Sequence, residues 1–182
     1  MKKFLAFIFH LFFCFPFIIF LYFAGAENYY SIQKLLFVLI VGILLLIGIG
    51  QPKFLKTDFE TDKLISIPLV LVGTITTYFL QIYADFNSIL AAGIVGLIAV
   101  FLEKRSETIS SLPIYCGAFV GMTNPDNNYS IYLILMIGLI AGILFYLSKN
   151  FYSGVGGKLG TIALSSVIVG VLLYKYFSYD LL

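Results

Sequence analysis

The residues of this chain that could handle a polar solute are hydroxyls, amides and glycines set inside apolar runs. Thr74, Thr77 and Gln81, in the apolar run 64–83, could supply polar contacts to such a solute. Cys116, Gly117, Gly121, Thr123 and Asn124 belong to a short apolar stretch, 112–123, and the polar run that ends it. Gly156, Gly157, Lys158, Gly160 and Thr161 belong to a glycine-rich break around 153–160. Where a helix is interrupted, freed N–H and C=O groups can bind ions or polar solutes without charged side chains. These residues are therefore the expected path-lining set. The competing reading is local: serines and threonines inside apolar runs bond to their own helix carbonyls.

Enzyme chemistry finds no such set. His10 is the sole histidine and lies four residues from Cys14, so the two share a helix face. A metal site takes three or four ligands, and nothing nearby supplies the rest. The acids sit in loops or at the ends of apolar runs, and no nucleophile has a base beside it. The run Gly154-Val-Gly-Gly-Lys158 lacks the Ser/Thr that follows the lysine of a phosphate loop. No catalytic residue, cofactor or metal is expected, and the chain is read as a non-enzyme. Proton relays and voltage sensors keep ionisable groups at mid-membrane. The centres of these runs hold none.

The elements that must position these residues follow from composition. Of 182 residues, 61% are hydrophobic and 11% charged, with mean hydropathy +1.04. Soluble domains carry roughly 25% charged residues, so eleven basic and nine acidic residues are too few to coat a soluble globule of this size. They suit the short loops of an all-α, polytopic membrane bundle forming one transmembrane domain over 1–182. A net charge of +2 gives no basic surface for nucleic acid. Cys14 and Cys116 form no disulfide framework.

Apolar runs suggest spans at about 4–26, 32–50, 64–83, 88–102, 130–148 and 159–177, most of them near the ~20 residues a crossing needs. The first is longer than a signal-peptide core of ~7–15 residues and reads as a retained helix, kinked at Pro16. The stretch 112–123 is either a short crossing helix, giving seven spans, or a re-entrant segment, giving six. With Lys2 and Lys3 inside, seven crossings leave only Lys34 and Lys175 outside, which favours seven. An inverted repeat is a further expectation: Gly73 to Tyr83 matches the spacing of Gly142 to Tyr152, relating spans two to four to spans five to seven.

Gly117-x-x-x-Gly121, Gly138-x-x-x-Gly142 and Gly156-x-x-x-Gly160 set small residues on single helix faces, and Ala92-x-x-x-Gly96 is a relative. Such faces let helix backbones approach closely, within the bundle or between subunits. Tyrosines near the ends of the runs fit an interfacial belt. Asn128-Tyr129-Ser130 is a glycosylation sequon. The expected function is a small permeation protein, a channel or facilitator for a small ion or neutral solute. The alternative is a non-catalytic membrane subunit or scaffold gripping a partner through its glycine faces. The expected surroundings are a lipid bilayer, in a plasma or inner membrane. The expected partner is a second copy or another membrane protein.

Overall fold

The computed structural model describes residues 61–106, 108–123, 131–149 and 157–179, with isolated positions between 15 and 43. By packing, the chain divides into two compact units: Met1–Phe59 with Asn150–Tyr152, and Glu60–Lys149 with Ser153–Leu182. In the first, the described positions, Phe15, Tyr22, Leu36 and Ile43 among them, are helical. His10, Cys14, the loop 51–60 and the sequon lie outside the described residues.

The second unit holds five described helices: α1 Ser66–Tyr83, α2 Ser88–Arg105, α3 Ser111–Gly121, α4 Ile131–Leu147 and α5 Lys158–Tyr179. No strand occurs among the described residues. Two helical stretches, Ser66–Tyr83 and Lys158–Tyr176, are long and apolar enough to cross a membrane. α2 ends in Glu103-Lys104-Arg105, which leaves a shorter apolar stretch. α4, with 17 residues, and α3, with 11, are apolar but shorter. Large apolar side chains cover the outside of the unit, among them Val72 and Phe79 of α1, Ile89, Leu97 and Phe101 of α2, and Leu139 of α4.

Local chemistry sets the ends of these helices. α1 and α3 each carry a proline in the first turn (Pro68, Pro113), where a helix leaves its N–H groups unpaired. Between α1 and α2 the turn is tight. The amides of Ala84 and Phe86 both reach the Leu80 carbonyl, and Asp85 takes a left-handed φ of 55°, which aspartate tolerates better than most residues. Asn87 then caps α2, its Oδ1 accepting from the Leu90 N–H at 2.8 Å. At the other end of α2, Lys104 and Arg105 complement the negative end of the helix dipole.

The short stretch 112–123 is a regular helix through Gly121, without a break. α3 runs parallel to α1 and antiparallel to α2 and α4, and it packs on all four other helices. The sense follows from the contacts. Rising from Gly117 to Gly121 along α3 meets Val70 and then Thr77 along α1, whereas rising from Gly138 to Gly142 along α4 meets Leu71 and then Ile67. Of the expected break around 153–160, residues 153–156 lie outside the described residues; Gly157 is a turn with a left-handed φ of 93°, and Lys158, Gly160 and Thr161 already belong to α5. α2 and α5 each run two or three residues past their expected ends.

The contacts have a regularity that neither break suggested. A shift of 44 residues carries Gly73 onto Gly117, Val70 onto Ile114, Leu71 onto Tyr115 and Thr74 onto Ala118; a shift of 42 carries Gly96 onto Gly138. A Cβ on Gly73 would collide with the Ile114 carbonyl and lie 3.1 Å from the Ala118 nitrogen. On Gly117 it would collide with the Val70 carbonyl and lie 2.9 Å from the Thr74 nitrogen. Gly96 lies against the Tyr115 ring as Gly138 lies against Leu71. The packing of α2 on α3 thus matches that of α4 on α1. Two helical hairpins, α1–α2 and α3–α4, are related by a local two-fold axis running along the α1–α3 interface. α5 breaks this symmetry by packing mainly on α3 and α4: Cys116 is buried while its counterpart Val72 is 53% exposed. The expected inverted repeat needs the second span as a partner for α3, and that span lies largely outside the described residues.

Candidate functional site

The expected path-lining residues fall into separate places. Thr74, Thr77, Gln81, Gly117 and Gly121 meet at the α1–α3 interface, all buried. Thr74 Oγ1 donates to the Val70 carbonyl at 3.0 Å, the back-bond that competes with solute binding. The amide of Gln81 donates to the Gly121 carbonyl at 2.5 Å and to the Thr77 carbonyl at 3.3 Å, tying the end of α3 to α1. Thr77 Oγ1 is buried without a hydrogen-bond partner. A Cβ on Gly121 would lie 2.5 Å from the Thr74 carbonyl oxygen and 2.7 Å from Thr77 Cβ. Backbone meets backbone along this seam.

Cys116, Lys158 and Thr161 form a second group where α5 begins. The Cys116 thiol points at the Leu159 carbonyl at 3.7 Å, and Thr161 Oγ1 donates to the Gly157 carbonyl at 2.9 Å. Lys158 Nζ donates to the carbonyls of Ser148 (2.6 Å) and Lys149 (2.7 Å), so its ammonium caps the negative end of α4. Thr123 Oγ1 bonds to the Val120 carbonyl at 2.8 Å. Gly157 and Gly160 are exposed, with open space where a Cβ would stand. Asn124 and Gly156 lie outside the described residues.

A cavity of about 300 Å³ occupies the end of the unit where α1 and α3 start and α2 and α4 finish. That is the lower end of the range for small-molecule sites, about 300–1,000 Å³. It sits on the local two-fold. Ile65 and Ile109 are counterparts in its wall, as are Ser66 and Ser110, and Leu69 and Pro113. Two further pairs break the symmetry in chemistry alone. Glu103 faces in where its counterpart is Phe145, and Asp62 where its counterpart is Ser106. The cavity is therefore built equally by both hairpins, with a carboxylate side and an aromatic side.

Its polar groups are held in place. Asp62 is pinned through its backbone N–H, which donates to the Tyr146 carbonyl at 2.8 Å, and its Oδ1 accepts from the Lys63 N–H at 2.7 Å. Ser111 Oγ donates to Glu103 Oε2 at 2.5 Å, fixing that carboxylate beside the first turn of α3. Ser106 and Thr108 share a hydroxyl hydrogen bond at 2.8 Å. Ser66 donates its hydroxyl to the Lys63 carbonyl. Ser110, at the N-cap of α3, makes no side-chain cap.

None of these lining residues stood out from the sequence as a site. The available signal was a repeat. Gly96-Leu-Ile-Ala99 reappears as Gly138-Leu-Ile-Ala141 in the register of the contacts, whereas Ser66-Ile-Pro-Leu69 reappears as Ser111-Leu-Pro-Ile114 one residue out of it. Superposing the copies brings the charged ends of the apolar runs together at one pole. Searches for similar proteins give no resemblance to set beside this site: no family model, no curated protein and no solved structure matches the chain.

Proposed function

We propose that this chain is a small multi-pass membrane protein that carries a small polar solute, a facilitator more than an open pore. The observation that carries the reading is the axial cavity: a recess with charged, hydroxyl and apolar walls at the pole of a unit whose flanks are apolar. Transporters assembled from parallel repeats place their solute site between the copies. The apolar skin of α1, α2 and α4 fits lipid, since soluble proteins seldom expose contiguous apolar patches of that extent. A plasma or inner membrane is the corresponding setting. Beyond the cavity the α1–α3 seam is closed, with glycines in backbone contact at positions 73, 117 and 121. A solute passing that level needs the hairpins to move apart, which favours alternating exposure over a standing channel.

The seven-span arrangement belongs to the same proposal. α3 is too short for a full bilayer, but it keeps the direction of a crossing helix through Gly121, where Gln81 takes over its carbonyl.

A second reading, a non-catalytic subunit gripping a partner membrane protein or a second copy, has one observation in its favour. Gly93 of α2 is exposed, with open space around it, between the exposed Ile89 and Leu97. This leaves a shallow slot for another helix.

Purified protein in liposomes, assayed for uptake of small ions and neutral or zwitterionic solutes, tests the first reading. Saturable uptake supports it. No uptake of any solute, with a second membrane protein co-purifying, replaces it with the subunit reading.

A further inference from the structure

The axial cavity presents both signs of charge and an apolar wall to one small volume. Glu103 and Asp62 supply two carboxylates, held by the Ser111 hydroxyl and the Lys63 N–H. Lys63 stands on the same rim. Beside it, the first turn of α3 opens with no side-chain cap from Ser110, so the N–H groups of Ser111 and Leu112, the two that precede Pro113, remain for an incoming acceptor. Phe145 is buried at 5% exposure and, with Leu69 and Pro113, closes the floor.

The two-fold relation explains why these features oppose one another. Each hairpin delivers the same position to the wall, but one delivers Glu103 and the other Phe145. A ligand lying across the axis therefore meets a carboxylate at one end and a ring at the other. A simple anion would face two carboxylates in the wall, and a simple cation would leave the α3 turn and Lys63 unused. A neutral polyol would use only the hydroxyls. A molecule with an ammonium, a carboxylate and a short apolar group satisfies all three walls.

We propose that the axial cavity binds a small zwitterion of the amino-acid class. Its ammonium lies at Glu103 and Asp62, its carboxylate at Lys63 and the first turn of α3, and its side chain on Phe145. The assignment rests on the permeation reading for its biological sense, but binding is measured apart from transport.

The experiment is equilibrium binding of radiolabelled leucine to the full-length protein in lipid nanodiscs. Two leucine analogues serve as competitors: 3-methylbutylamine, which lacks the carboxylate, and 4-methylpentanoate, which lacks the ammonium. Leucine should bind saturably, and each analogue should compete at least tenfold more weakly than unlabelled leucine. Glu103→Gln should weaken leucine and the amine at least tenfold and leave the carboxylate analogue unchanged. Phe145→Ala should reduce the preference for leucine over glycine. Both variants are first checked for a wild-type melting temperature. Glu103→Asp, which keeps the charge, should retain most of the affinity if a variant melts early.

No saturable leucine binding, equal competition by all three compounds, or unaltered binding in Glu103→Gln each overturns the zwitterion site. Binding without uptake in liposomes keeps the site and removes the permeation reading. Uptake of leucine that ignores Glu103→Gln keeps permeation and removes the site.

Discussion

Gln81 of α1 donates its side-chain amide to the backbone carbonyl of Gly121 at 2.5 Å, across forty residues of sequence. With Thr123, whose hydroxyl bonds to the Val120 carbonyl, it holds the end of the shortest described helix, and it does so from another helix. α3 stops six residues, more than a turn and a half, before α1 does, and Gln81 on that overhanging end of α1 supplies the partner for its last carbonyl. Gln81→Leu should leave that carbonyl unpaired and cost about 1–2 kcal/mol, within the range for buried and interhelical hydrogen bonds. Unfolding in mixed detergent reads the effect. A Leu variant as stable as wild type would mean that the carbonyl is satisfied by another route.

The two-fold relation makes a paired prediction. Gly73→Ala and Gly117→Ala place a methyl group against equivalent backbone atoms of the opposite helix, so both should destabilise by similar amounts, about 1–3 kcal/mol for overpacking. Gly93→Ala meets nothing and should be neutral or stabilising by about 0.5–1 kcal/mol, the gain in helix propensity. The contrast matters more than either value. If Gly73→Ala is tolerated and Gly117→Ala is not, the two hairpins do not bear load equivalently and the symmetry is superficial.

Much of this was legible in the residues, for physical reasons. The apolar runs marked four of the five helices because length and hydropathy are local properties. The tight turn at Ala84–Asn87 was legible from its short polar sequence. The glycine pairs announced close helix contact, but not its partner, since Gly117 and Gly121 pack on Val70, Thr74 and Thr77 in one helix. Of the two readings of 112–123, a short helix or a re-entrant segment, the structure has a helix over Ser111–Gly121, where packing on four neighbours outweighs the low helix propensity of Gly and Cys. The cavity was illegible without the repeat. Glu103 ends α2 and Ser110 precedes α3, so their short connection joins those two, but Asp62, before α1, reaches the same pole only through the packing of the hairpins.

Thr74 and Thr77 look alike in sequence and differ in structure. Thr74 Oγ1 is bonded to Val70, whereas Thr77 Oγ1 is buried and unpartnered. Thr77→Val removes a hydroxyl that is already without a partner, so stability should stay level or rise by up to about 1 kcal/mol. Thr74→Val should cost about 0.5–1 kcal/mol. If Thr77 instead meets the solute as the hairpins separate, Thr77→Val will slow uptake in liposomes with no loss of stability. The two measurements together tell an idle hydroxyl from a working one.

The last prediction concerns the passage of α3 through the bilayer. An 11-residue helix rises about 16 Å, against a hydrocarbon core of about 30 Å. Length alone would allow a segment that dips in and returns. Direction argues otherwise: α3 stays parallel to α1 and antiparallel to α4, and its end lies opposite Thr77 and Gln81, near the far end of α1. The residues after it then need cover only the remaining thickness. Single cysteines at positions 63, 85, 108, 126 and 149, in a background free of Cys14 and Cys116, can be labelled with a membrane-impermeant maleimide. Positions 63, 108 and 149 should react from one side of the membrane, and 85 and 126 from the other. Labelling of 126 together with 108 would make α3 re-entrant. The axis shared by the two hairpins would then end inside the membrane, and the second hairpin could not be a full copy of the first.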